Sequence, residues 1–207
     1  MSVISDFDGV LPRVEKALRN LLDSGRAGKT VSNYAEGLAA FCDWAIQRGY
    51  MDKDPLKGLA PFDTTPKTIR RAMTVEEITR LLAVAPTHRK LLYETAFLTG
   101  LRANELRNLR VDDLDVERCG LRLDGAWTKN RKSGFQPISR DLAERLQVFS
   151  QTGEAQQIYA QNFGKAKTKR LPPENPLFYV ASQTDRVLSI DLRAADIPKV
   201  TPIGKLD

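Results

Sequence analysis

Two short stretches of the sequence carry side chains suited to holding an oxyanion. The first is Thr99-Gly100-Leu101-Arg102-Ala103-Asn104-Glu105-Leu106-Arg107-Asn108-Leu109-Arg110, where a helix stops at a glycine and a second helix starts beside an arginine. A guanidinium presents planar donors that match two oxygens of a phosphate. The second is Lys129-Asn130-Arg131-Lys132-Ser133-Gly134, a basic turn. Taken alone, an arginine so placed is a solvated or salt-bridged surface residue, and a basic turn makes non-specific phosphate contacts.

Other chemistries find little support. Cys42 and Cys119 are the only cysteines, lie far apart, and have one histidine, His88, as the only other soft ligand. Neither a disulfide framework nor a zinc site is expected, and no metal or cofactor is assigned. Cys42 lies in an apolar helical pattern and reads as core packing. No stretch approaches the roughly 20 apolar residues of a membrane span, and the N-terminus has neither a basic nor an apolar leader region, so the expected compartment is the cytoplasm. The net charge is +6, yet residues 1–62 hold eight basic against eight acidic residues, leaving 24 against 18 in residues 63–207. The excess points to a polyanionic partner for the second part of the chain, or simply to a solvated basic surface.

The elements that must position these residues follow from periodicity. Leu11, Val14, Leu18, Leu21 and Leu22 recur at helical spacing and end at Asp23-Ser24-Gly25. A second helix starts after Gly28, with Thr30 as its N-cap and Val31, Tyr34, Leu38, Phe41 and Ala45 on its apolar face, the two packing as a helical hairpin. Trp44 joins Tyr34 and Phe41 as expected core. Asp54-Pro55-Leu56 and Pro61 break the pattern, which sets a boundary between residues 62 and 67. Thr74-Val75-Glu76-Glu77 is a capping box opening a helix to Pro86. Another helix runs from about His88 to Thr99 and stops at Gly100, and a short one carries Leu106 and Leu109. The period then changes to two through Leu121, Leu123 and Trp127, and returns over Phe135 to Ile138, a β-hairpin with a basic tip. Asp141 to Phe149 reads as a helix, followed by a basic loop or inserted helix to Pro176.

Thr99-Gly100-Leu101-Arg102 resembles the first conserved box of the tyrosine recombinase (phage integrase) family, and Trp127-Thr128-Lys129-Asn130-Arg131-Lys132 is similar to that family's hairpin lysine motif. Gly28-Lys29-Thr30-Val31-Ser32-Asn33-Tyr34, Phe41-Cys42-Asp43-Trp44-Ala45 and Asp54-Pro55-Leu56 resemble its core-binding domain. The resemblance implies a mainly α fold with a small β-hairpin or sheet (α+β). It implies a helical, SAM-like core-binding domain over residues 1–62, a linker over 63–70 and a catalytic domain over 71–207. The implied partner is double-stranded DNA, and the implied activity is metal-independent site-specific recombination or integration of a mobile element. Arg102 would grip the scissile phosphate and offset transition-state charge, Glu105 would orient it, and Lys129, or Lys132 in its place, would be the general acid. Lys29, Thr30, Ser32 and Asn33, with Arg131 and Lys132, would contact DNA.

The family pattern also requires a His-x-x-Arg motif and a nucleophilic tyrosine. Neither is found after Lys129, and His88 precedes Arg102 and reads as a surface or capping residue. Tyr34, Tyr50, Tyr93, Tyr159 and Tyr179 all fall upstream of the nucleophile's place, so no nucleophile is assigned. Asp191-Leu192-Arg193-Ala194-Ala195-Asp196-Ile197-Pro198 and Gly204-Lys205-Leu206-Asp207 look like the approach to the missing box. The expectation is a catalytic domain truncated at its C-terminus, with one side open over the helices carrying Leu92, Phe97 and Leu106, and inactive alone. Two alternatives follow: half of a split recombinase completed by a C-terminal fragment, or a non-enzymatic regulator that competes with the full-length recombinase.

Overall fold

The structure is a computed structural model, and it describes residues 9–66, 69–162 and 173–206. The basic stretch with Lys165, Lys167, Lys169 and Arg170 lies outside the described residues. The chain divides into two compact units, one reaching to Arg71 with residues 202–205, the other running from Ala72 to Thr201 with Leu206. Helices and short sheets make both, a mixed α+β architecture.

The first unit is a helical hairpin of α1 (Val10–Asp23) and α2 (Gly28–Gln47), followed by β1 (Arg70–Arg71). Gly25, at φ 87°, supplies the left-handed residue that turns the chain. Thr30 is not the cap of α2: the helix starts at Gly28, with Ala27 as N-cap. Gly28 lets the backbone of Asp63 approach that start, because a Cβ there would sit 1.8 Å from the carbonyl oxygen of Asp63. The core of this unit is Cys42, Ala45, Met51 and Leu56, against which Val10, Val14, Ile46 and Tyr50 pack.

The aromatic face expected to be core is not buried. Tyr34, Phe41 and Trp44 are 54%, 52% and 47% exposed, whereas Val31, Cys42 and Ala45 are buried. At about 100° per residue the buried three lie on a narrow strip, and the aromatic three lie to one side of it. Phe41, Trp44 and Tyr50 instead form a tilted ring cluster, with centroids 5.9 and 5.5 Å apart.

In the second unit Thr74 caps α3 (Val75–Val84) with the reciprocal hydrogen bonds its sequence promises: the Glu77 N–H donates to Thr74 Oγ1, and the Thr74 N–H donates to Glu77 Oε2. There follow α4 (Thr87–Thr99), α5 (Ala103–Asn108) and a 3-10 turn, Val111–Asp113. Strands β2 (Leu114–Asp115), β3 (Gly120–Leu123) and β4 (Gly134–Pro137) form an antiparallel sheet in the order β2-β3-β4, with Leu121 opposite both Leu114 and Gln136. The hairpin is where the sequence put it, but β3 ends at Leu123, so Trp127 belongs to the loop. Helices α6 (Arg140–Gln151), α7 (Glu154–Asn162) and α8 (Thr184–Ala194) complete the unit before β5 (Val200–Thr201) and β6 (Gly204–Leu206).

One apolar cluster joins Leu91, Leu92, Leu106, Leu109, Leu121, Leu142 and Phe178, and a smaller one joins Leu81, Leu192, Ile197 and Leu206. Of the residues on the side expected to be open, Leu92 and Leu106 are enclosed by this cluster. Phe97 and its neighbour Leu98 remain outside, 42% and 60% exposed. His88, expected as a surface or capping residue, is half-buried: its side chain is 15% exposed and its Nδ1 lies 3.0 Å from Glu154 Oε1.

Candidate functional site: an exposed guanidinium beside a basic loop

The Thr99-Gly100-Leu101-Arg102 turn is held by its own side chains. Gly100 takes φ 67° as the left-handed C-cap of α4. Thr99 Oγ1 donates to Thr95 O at 2.6 Å and accepts from the Leu101 N–H at 3.2 Å. The chain then extends, so that Arg102 is the N-cap of α5 at φ −73°, ψ 153°.

Glu105, third in α5, is buried, with its side chain 7% exposed, and its carboxylate is shared by two donors of one residue. Oε2 accepts the Arg102 backbone N–H at 2.8 Å and Oε1 accepts its Nη1 at 3.2 Å. Arginine offers no acceptor, so only the carboxylate half of a capping box operates here. The guanidinium is thus tethered by one edge to a fixed carboxylate while its side chain is 63% exposed, with its other donors open to solvent. Because α5 has only six residues, its macrodipole adds little to this site.

The Lys129 loop, residues 124–133, is hydrogen-bonded through Thr128. The Thr128 hydroxyl donates to Lys132 O at 3.0 Å and accepts the Lys132 N–H at 3.1 Å. The Gly125 N–H donates to Ser133 Oγ at 3.0 Å, and Arg131 takes the left-handed φ of 51°. Lys129, Arg131 and Lys132 are consequently displayed, all three exposed. The loop touches α5 where Asn104 Nδ2 lies 3.5 Å from Trp127 O, and the Arg110 guanidinium lies 5.9 Å from the Trp127 ring centroid. Arg102, Glu105 and the Lys129 loop are thereby brought into one region of the second unit.

Lys29, Thr30, Ser32 and Asn33 lie on the first turns of α2 in the first unit. Lys29 Nζ and Ser32 Oγ both reach Glu36 Oε1, at 3.3 and 2.9 Å, and together hold that carboxyl below its usual range, the Ser32 hydrogen bond first. Asn33 is exposed.

Sequence reading missed Asn104, Arg107 and Arg110 as organisers. Arg107 donates to the carbonyls of Val180 and Ala181 at 3.4 and 3.1 Å. The density of long polar side chains on a six-residue helix was the available signal. A second missed group is Asp191 on α8, buried, which accepts from Arg89 Nε at 2.7 Å and Nη2 at 2.9 Å and from the Tyr93 hydroxyl at 2.7 Å. That network fastens α8 to α4, the helix leading into Arg102. Among the described residues no group of three His, Cys, Asp or Glu could hold a metal ion, and no helix is long and apolar enough to cross a membrane.

Residues 71–175, half of the chain, match the phage integrase family. The chain therefore belongs to this family, the tyrosine recombinases. It is 30% identical to the tyrosine recombinase XerC of Proteus mirabilis over 138 residues, 61% of this chain and 43% of that protein. It is 32% identical to the tyrosine recombinase XerA of Thermococcus kodakarensis over 109 residues, 50% and 38% of the two chains. The matched stretch spans less than half the length of these curated relatives. Among solved structures, lambda integrase (residues 75–356) bound to DNA superposes with a TM-score of 0.66 at 14% identity, over 95% of this chain and 66% of that one. The Tn1549 transposon integrase in complex with a circular intermediate DNA gives 0.63 at 20% identity, over 92% and 68%. The two structures share the fold.

Proposed function

We propose that this chain acts on double-stranded DNA in site-specific recombination, its second unit serving as the phosphate-holding part of a tyrosine recombinase catalytic domain and its first as the core-binding domain. The observation that carries this reading is the exposed Arg102 guanidinium, tethered by the buried Glu105 immediately after the Thr-Gly-Leu turn. A cation held by one edge and open on the other is built to take a phosphate. Glu105 offsets the charge of Arg102, so the net attraction for DNA comes from Lys129, Arg131 and Lys132 beside it. Lys129 is the general acid for the departing oxygen in this reading, and Thr30 and Asn33 of α2 make further backbone contacts.

In the same reading these 207 residues hold DNA without cutting it. Tyr93 is committed to Asp191, Tyr159 and Tyr179 pack edge to face at 4.8 Å, and Tyr34 and Tyr50 belong to the first unit. No tyrosine is left to serve as a positioned nucleophile. A His-x-x-Arg and a tyrosine supplied by a separate polypeptide would complete the chemistry, a second reading favoured by Phe97 and Leu98, exposed on the helix that leads into Arg102.

Two assays test this. A gel-shift titration against salt should give a steep log–log slope, about 0.9 for each phosphate neutralised; no retardation at low salt contradicts DNA binding. A nicked duplex that traps covalent intermediates should yield free DNA only. A 3′-phosphotyrosyl adduct formed by these residues alone contradicts the non-cutting assignment.

A further inference from the structure

The Lys129 loop meets the Arg102 helix at Trp127, and that residue is gripped from two directions. Trp127 presents its carbonyl to Asn104, two positions along from Arg102, and its ring to the guanidinium of Arg110, just beyond the end of α5. The first contact, at 3.5 Å, is a long hydrogen bond. The second lies within the roughly 6 Å reach of a cation over an aromatic face.

Arg110 is itself a fixed post. Its backbone bridges to Pro176, the Val111 N–H donates to Asn175 O at 3.0 Å, and the Leu177 N–H donates to Leu109 O at 3.0 Å. Leu109 and Leu177 on either side are fully buried. On the loop side, Thr128 follows Trp127 and closes the loop onto Lys132. A ring anchored on the rigid end of α5 and a hydroxyl clasp in the next position leave the Lys129 backbone little freedom. Two residues span at most about 7 Å, so Lys129 stays within that distance of Trp127, and Arg102 closer still to Asn104. Two long cationic side chains so tethered can meet on one phosphate.

We propose that Trp127 is a positioning residue, docking the lysine loop on the arginine helix so that Arg102 and Lys129 engage the same phosphate. This rests on the phosphate-site reading above and adds to it the device that couples the two cations. Arg110 acts through Trp127 as the fixed side of that dock.

A double-mutant cycle read in DNA affinity tests it. Arg102→Ala and Lys129→Ala, singly and together, are titrated with a fluorescent duplex at fixed salt, in the parent and in Trp127→Ala. If both cations share a phosphate, the double variant loses less than the product of the single losses, by about threefold or more. That factor should fall to about one in Trp127→Ala and return in Trp127→Phe, which restores a ring for Arg110. Should Trp127→Ala not fold, Arg110→Gln removes the same dock from an exposed position, and the cycle cancels the effect of its own lost charge. A coupling factor unchanged in Trp127→Ala or Arg110→Gln overturns the proposal, as does additivity in the parent. The outcome in which neither single variant weakens binding is different: it overturns the phosphate-site reading itself.

Discussion

At the scale of single residues, the arrangement around Arg102 is decided by one buried carboxylate. Glu105 accepts both the backbone N–H and a side-chain donor of Arg102, so its loss frees the guanidinium and strips the first turn of α5 of its cap. Glu105→Ala should cost about 1–3 kcal/mol, seen as a lower midpoint in urea with an unchanged slope. This part of the site was legible in the sequence because it is local: Gly100, Arg102 and Glu105 lie within six consecutive residues. Tyr93 was not legible, since its partner Asp191 is 98 residues away. Burial, and then the hydrogen bond to Asp191, pushes the Tyr93 hydroxyl well above its ordinary value. A group whose pKa is raised on folding contributes stability that is complete below its unfolded value, about 10, and is lost as pH rises beyond it. Thermal melts from pH 8 to 11 should show a steeper alkaline loss in the parent than in Tyr93→Phe; parallel curves would mean the hydroxyl is not held neutral.

At the scale of elements, local signals and tertiary partners parted company. Thr74 and Glu77 announce α3 by a capping box four residues long, and the basic tip between Leu123 and Phe135 announces the hairpin. The apolar face of α2 could not be read the same way. Tyr34, Phe41 and Trp44 recur at helical spacing, but which stripe of a helix is covered depends on what packs against it, and here Cys42 and Ala45 are covered by Met51, Leu56 and the α1 residues Val10 and Val14. The fastening of α8 to α4 is likewise tertiary, for Arg89 and Asp191 lie 102 residues apart. Asp191 is 5% exposed at its side chain and Arg89 26%, so removing the carboxylate leaves a mostly buried cation without its bidentate partner. Asp191→Ala should destabilise the second unit by about 3 kcal/mol, roughly 10 °C in Tm. A loss below about 1 kcal/mol would show that the network contributes little.

For the molecule as a whole, family membership and α+β architecture were readable from motifs only a few residues long. Contacts between elements far apart in the chain, such as that of Asn104 with Trp127, were not. The charge asymmetry agrees with the proposed phosphate site, because the basic excess and Arg102 belong to the same part of the sequence. The central claim, that Arg102 meets a DNA phosphate, is tested most directly by comparing the salt dependence of duplex binding in the parent and in Arg102→Ala, with circular dichroism confirming that both are folded. Loss of one phosphate contact should weaken binding and reduce the log–log slope by about 1. An Arg102→Ala protein that is folded and keeps both the affinity and the slope of the parent would contradict it.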